Sequence, residues 1–100
     1  MAVVETLEDY YRIITTEPKS IFIFTIKKGC YSCTKLKKWL KQEYETQKGI
    51  YVIDINNDVF KNITSEIYAL PTIQFKNYTE IVSTIEGFQP LLMTKMIQDL

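Results

Sequence analysis

The 100-residue chain has no histidine, two cysteines, three glycines, three prolines and one tryptophan. Each shortage excludes something. Without histidine or a third cysteine, one copy cannot complete the Cys/His shell of a structural zinc site, so a metal would need carboxylates or a second chain. With so little glycine and proline there is no linker, and no repeat or low-complexity tract interrupts the sequence. Net charge is zero, with twelve basic and twelve acidic residues, which removes any global call for nucleic acid, an anionic membrane or an acidic substrate. No apolar run approaches the roughly 18–20 residues needed to span a bilayer, and the opening Met-Ala-Val-Val-Glu-Thr-Leu-Glu-Asp carries acids where a secretory leader needs basic residues. The reading is a cytoplasmic protein. The triplets Asn62-Ile63-Thr64 and Asn77-Tyr78-Thr79 match a glycosylation pattern that has no use outside a secretory route.

What is present suffices for one core. Hydrophobic residues make up 46% of the chain and are spread along its length, so the expectation is a single domain over residues 1–100. Val4, Leu7, Tyr11 and Ile14 recur at helical spacing and predict an amphipathic first helix closed by Glu17-Pro18. Ile21-Phe22-Ile23-Phe24-Thr25-Ile26 is a continuous β-branched and aromatic run, the pattern of a strand buried on both faces. After Lys27-Lys28-Gly29 the period becomes helical, with Cys33, Leu36, Leu40 and Tyr44 on one face. Ile50–Ile55 is a second strand, giving a βαβ unit with parallel strands. Asn56-Asn57-Asp58 can turn and cap a short helix reaching about Ile67. Thr72–Lys76 and Glu80–Ile85 alternate around Asn77-Tyr78-Thr79 as a hairpin, Gly87 breaks the second strand, and Pro90 suits the first turn of a closing helix whose apolar face is Leu92, Met93, Met96, Ile97 and Leu100. The fold class is α/β, a four-stranded mixed sheet flanked by helices in the order αβαβαββα.

Cys30-Tyr31-Ser32-Cys33 falls where the buried strand hands over to a helix. A closely spaced pair in a reducing compartment is redox-active or metal-binding rather than structural. Cys30 sits at or beside the N-cap, where free N–H groups and the helix dipole favour a thiolate and lower thiol pKa values to roughly 3.5–7.5. It is the expected nucleophile. Cys33, one turn on and facing inward, is the expected resolving thiol. Lys27, Lys28, Lys35 and Lys37 add local positive charge, which favours a thiolate or is simply a solvated surface. Tyr31, between the cysteines, either shapes substrate contact or is simply exposed surface, whereas Trp39 beside Leu36 and Leu40 reads as core.

A strand, a CxxC at the next helix, Pro71 roughly forty residues on before a hairpin, and a closing glycine together resemble glutaredoxins and thioredoxins, over nearly the whole chain. The resemblance implies a thioredoxin-like fold, a cis Pro71 against the cysteines, and a Leu70 backbone that pairs with an extended substrate. It implies dithiol–disulfide oxidoreductase activity through Cys30 and Cys33, with Lys27, Tyr31, Leu70, Pro71, Gly87 and Phe88 contacting substrate. The buried acid of thioredoxins falls at Phe24 and their tryptophan at Gly29, which favours the glutaredoxin side. Lys27 matches the lysine that in glutaredoxins binds a glutathione carboxylate, making glutathione a possible co-substrate with no tightly bound cofactor. Gln89 stands where those proteins carry an acid, however, and Gly87-Phe88-Gln89-Pro90 is similar to the Gly-Phe-Arg-Pro of redoxins that feed ribonucleotide reductase and draw on thioredoxin reductase. The implied partners are disulfide-containing proteins, with glutathione or thioredoxin reductase as electron donor, and the implied state is a monomer. Two alternatives stay open: a [2Fe–2S] cluster bridging two chains, and a non-catalytic thioredoxin-fold interaction module.

Overall fold

A computed structural model describes residues 1–100. Its centre is β2 (Lys19–Thr25), in which Ile21, Phe22, Ile23 and Phe24 are all fully buried. Such complete burial stabilises each large apolar side chain by about 1.5–3 kcal/mol relative to exposure. β2 pairs in parallel with β3 (Ile50–Asp54) and antiparallel with β4 (Thr72–Asn77), which in turn forms an antiparallel hairpin with β5 (Glu80–Glu86).

A fifth strand corrects the expected four. β1 (Ala2–Val3) pairs in parallel with the outer side of β3, so the sheet order is β1-β3-β2-β4-β5. Val4 continues this extended segment, its N–H donating to Val52 O at 2.9 Å, rather than opening the first helix. Two residues are too few for an alternation pattern, and Val4 happens to stand at helical spacing from Leu7. The helix α1 spans Leu7–Thr16; Thr6 caps it by accepting the Asp9 N–H at 3.1 Å, and Glu8 and Asp9 complement the positive end of its dipole. Its buried face is Tyr10, Ile13 and Ile14, while Tyr11 is exposed, one position off the predicted stripe.

Alternation within β2 divides the interior. Ile21 and Ile23, with Ile50 and Val52 from β3 and Ile73 and Phe75 from β4, pack against α2 (Tyr31–Glu43) and α4 (Pro90–Gln98) through Leu36, Leu40, Met93, Met96 and Ile97. Phe22 and Phe24, with Ile53, pack on the other face against Val4, Tyr10, Ile13, Ile14 and Phe60. Beyond β3 the chain forms a short 3₁₀ turn (Asp58–Phe60) and α3 (Lys61–Thr64), with the Asn57 side chain accepting the Val59 N–H at 3.2 Å. The helix therefore ends before the predicted Ile67. α4 begins with Pro90 at its first position, as its missing N–H allows. Leu92 is exposed rather than part of the inward face of that helix. No helix is long and apolar enough to cross a membrane.

Candidate active site

Parallel pairing of β2 with β3 and antiparallel pairing of β2 with β4 bring the end of β2, the end of β3 and the start of β4 to the same edge of the sheet: Phe24 faces both Ile53 and Thr72, and Thr72 faces Glu86 of β5. Three loops meet at that edge. Leaving β2, the chain passes through Gly29, whose φ of +81° suits glycine, and enters α2 at Cys30.

Cys30 is the N-cap of α2, in extended conformation. Its Sγ accepts the Cys33 N–H at 3.1 Å, and its carbonyl accepts both the Thr34 N–H and the Thr34 hydroxyl at 3.2 Å. Cap geometry thus aims an orphan backbone donor and the positive end of a 13-residue helix at one sulfur. Cys30 and Cys33 form a disulfide with a Cα–Cα distance of 5.2 Å. The two sulfurs differ in access: Cys33 is 1% exposed, whereas Cys30 is only partly buried. The pair is thus asymmetric, with Cys30 the more open to an external partner.

The Leu70-Pro71 bond is cis, and Pro71 is buried at the head of β4. Its carbonyl accepts the Gly87 N–H at 2.8 Å, which ties the loop before β4 to the loop after β5. Leu70 is half-buried. Tyr31 is 78% exposed between the cysteines. Phe88 packs on the core with its ring edge-to-face on Trp39 at 5.8 Å, so Trp39 is core-side as expected yet also supports the loop beside the cysteines. Gln89 points back, its amide donating to Glu86 O at 2.7 Å. Lys27 is exposed and borders a hollow of about 310 Å³ that it shares with Glu5, Asp54, Asn56 and Asn57, on the β1/β3 side of the sheet edge. Of the residues singled out from sequence, Tyr31 opens α2, Leu70, Pro71, Gly87 and Phe88 belong to the loops at the cysteine edge, and Lys27 lies in the approach to the helix with its hollow to one side.

Sequence reading missed one constellation. The Lys35 ammonium lies over the Tyr31 ring at 5.4 Å and over the Phe88 ring at 5.9 Å. The i, i+4 spacing of Tyr31 and Lys35 on α2 was the available signal. Phe88, from the far end of the chain, had no such local signature.

No family model matches the chain, and no curated protein matches it by sequence. Solved structures do. A thioredoxin from Malassezia sympodialis superposes with a TM-score of 0.82 at 18% identity, covering 99% of this chain and 89% of that one. Mitochondrial thioredoxin 3 from Saccharomyces cerevisiae, in oxidised form, gives 0.80 at 20% identity over 100% and 95%. The germline-specific thioredoxin Deadhead from Drosophila melanogaster gives 0.78 at 23% identity over 100% and 99%. The chain has the thioredoxin fold, with a CxxC disulfide at the start of α2.

Proposed function

We propose that this protein is a glutaredoxin-like dithiol–disulfide oxidoreductase acting on protein disulfides in the cytoplasm as a monomer. The observation that carries the reading is the paired asymmetry at the head of α2: a partly exposed Cys30 sulfur held by the Cys33 N–H at 3.1 Å, and a buried Cys33 beside it.

Starting from the reduced pair, the Cys30 thiolate attacks one sulfur of a substrate disulfide; that S–S bond breaks and the first substrate thiolate leaves and takes a proton. Cys33 then gives up its proton and attacks Cys30 Sγ, which breaks the mixed disulfide and releases the second substrate thiol. Two electrons have moved to the substrate and the Cys30–Cys33 disulfide remains, the state of the present structure. An external dithiol or reductase returns it to two thiols. Leu70 offers backbone groups to an extended substrate beside the sulfurs, Pro71 leaves no competing N–H there, and Tyr31, Gly87 and Phe88 form the contact surface.

Protein disulfides are favoured over glutathione mixed disulfides because Gln89, where an amine-binding acid would stand, is uncharged and spends its amide on the Glu86 carbonyl. Glutathione remains a secondary co-substrate, with Lys27 as the group for its carboxylate, and thioredoxin reductase is the other donor to compare.

Turnover of a protein disulfide decides the matter. Wild type is expected to accelerate reduction, Cys30→Ser to fall to the uncatalysed background, and Cys33→Ser to accumulate a mixed disulfide through Cys30. Equal activity of Cys30→Ser and wild type would overturn the proposal, and the relative rates with glutathione plus its reductase and with thioredoxin reductase identify the donor.

A further inference from the structure

Among the fourteen side chains that carry an amine, a guanidinium or a thiol, two lysines lie over a pair of rings: Lys76, buried against Tyr10 and Phe22 away from the cysteines, and Lys35, which is exposed beside them. The Lys35 ammonium lies near Tyr31 at 5.4 Å and Phe88 at 5.9 Å, and Tyr31 is one of the two residues between the cysteines. The ammonium has no hydrogen-bonded acceptor, and the sole ion pair in the chain is Arg12–Asp9, on the opposite face of the sheet. From Lys27 to Gln42 the sequence holds six lysines and no acid. The acids on neighbouring elements at this edge include Asp54, at the end of β3, Glu66, in the segment before Leu70, and Glu86, at the end of β5; none is within ion-pair distance of Lys35.

We infer that Lys35, held between Tyr31 and Phe88, is a specificity-determining residue that selects substrates carrying a carboxylate beside the reactive disulfide. The inference rests on the oxidoreductase reading and names its substrate class. Aromatic faces attract a cation but accept no strong hydrogen bond, so the three N–H donors of Lys35 remain for a partner. An ordinary surface lysine forfeits much rotamer freedom when it forms an ion pair, which is why exposed pairs contribute little. Here cation–π attraction to the two rings biases the exposed side chain toward one position, so less freedom is lost when a carboxylate arrives. Phe88 is itself fixed by Trp39 at 5.8 Å, and the loop that carries it is fixed by the Gly87 N–H on the Pro71 carbonyl. The ammonium is thereby registered to the loop that would hold the substrate backbone.

The test compares disulfide-linked peptides that differ only in the residue next to the attacked cysteine, Glu, Gln or Lys, and reads the ratio of kcat/KM for the Glu peptide over the Gln peptide. Wild type at low salt should favour Glu by about fivefold, the scale of one surface ion pair, and disfavour Lys. Lys35→Gln should bring the ratio to about one, Lys35→Arg should restore it, and Tyr31→Leu, which keeps the charge but removes one wall, should lie between. Raising the salt concentration should erase the wild-type preference. A ratio near one in wild type, or a preference that persists in Lys35→Gln, overturns the inference while leaving the oxidoreductase reading intact. Absence of Cys30-dependent turnover with every peptide would instead overturn that reading.

Discussion

The two faces of the sheet are built from one strand but from different side chains. Toward α1 and α3, β2 offers Phe22 and Phe24, and the packing there is aromatic: Tyr10 meets Phe22 edge-on at 5.1 Å and Phe60 at 6.4 Å, and Tyr51 stacks on Phe22 at 5.5 Å. Toward α2 and α4, β2 offers Ile21 and Ile23, and the interior is mainly aliphatic, with Phe75 its one buried ring and Trp39, Tyr44 and Phe88 at its margin, closed by Leu36, Leu40 and three methionine or isoleucine side chains of α4. The cysteines enter on the second face. Aromatic edges give the first face directional contacts that fix α1. The branched aliphatic surface of the second seats α2, whose first turn carries the cysteine pair. One face is a fastening and the other a platform.

Three measurements probe that division. Phe22→Ala removes a fully buried ring from the fastening face and should cost about 3–5 kcal/mol in urea or thermal unfolding, with the exchange rate per folded molecule retained because neither α2 nor the cysteine edge rests on it. Leu36→Ala should cost about 2–5 kcal/mol and, unlike the first, should also slow exchange, since Leu36 anchors the turn that follows Cys33. Equal effects of both variants on exchange would erase the functional contrast between the faces.

The smallest effect lies at the far edge of the fastening face. There the Tyr51 hydroxyl donates to Glu17, and burial, the hydrogen bond to Glu17 and the negative charge of Glu17 push the phenol up from 10.0 to about 12. A pKa raised on folding means that the native state keeps a proton the unfolded chain has begun to lose. The associated stability is complete below pH 10 and declines as pH rises toward about 12. Denaturation profiles of wild type and Tyr51→Phe should therefore converge over that window, the variant lacking this part of the alkaline decline. Parallel profiles would show that the Glu17 contact contributes nothing.

Much of this was legible in the chain. The Ile-Phe-Ile-Phe run announces a doubly buried strand because no polar residue interrupts it, and Cys30, Gly29 and Pro90 mark helix starts through capping and backbone preferences that act over a few residues. The run does not say which face is which, because hydrophobicity is the same on both; only side-chain size alternates. β1 escaped notice because its two residues are held by pairing with Tyr51 and Val52, partners far away in sequence. Periodicity places Tyr11 and Leu92 inside, but the packed helix faces turn Tyr10, Met93 and their neighbours inward instead.

Lys35 marks the boundary between the two kinds of knowledge. Local sequence determined that a CxxC would cap a helix, that the helix would follow a buried strand, and that lysines would crowd around it, since capping, periodicity and charge are properties of neighbouring residues. Tertiary structure alone decided that Phe88 would close the second side of Lys35 and that Gly87 would donate to Pro71. Those contacts exist because β4 and β5 fold back along β2 and deliver three distant loops to one edge, and no local preference along the chain encodes that meeting.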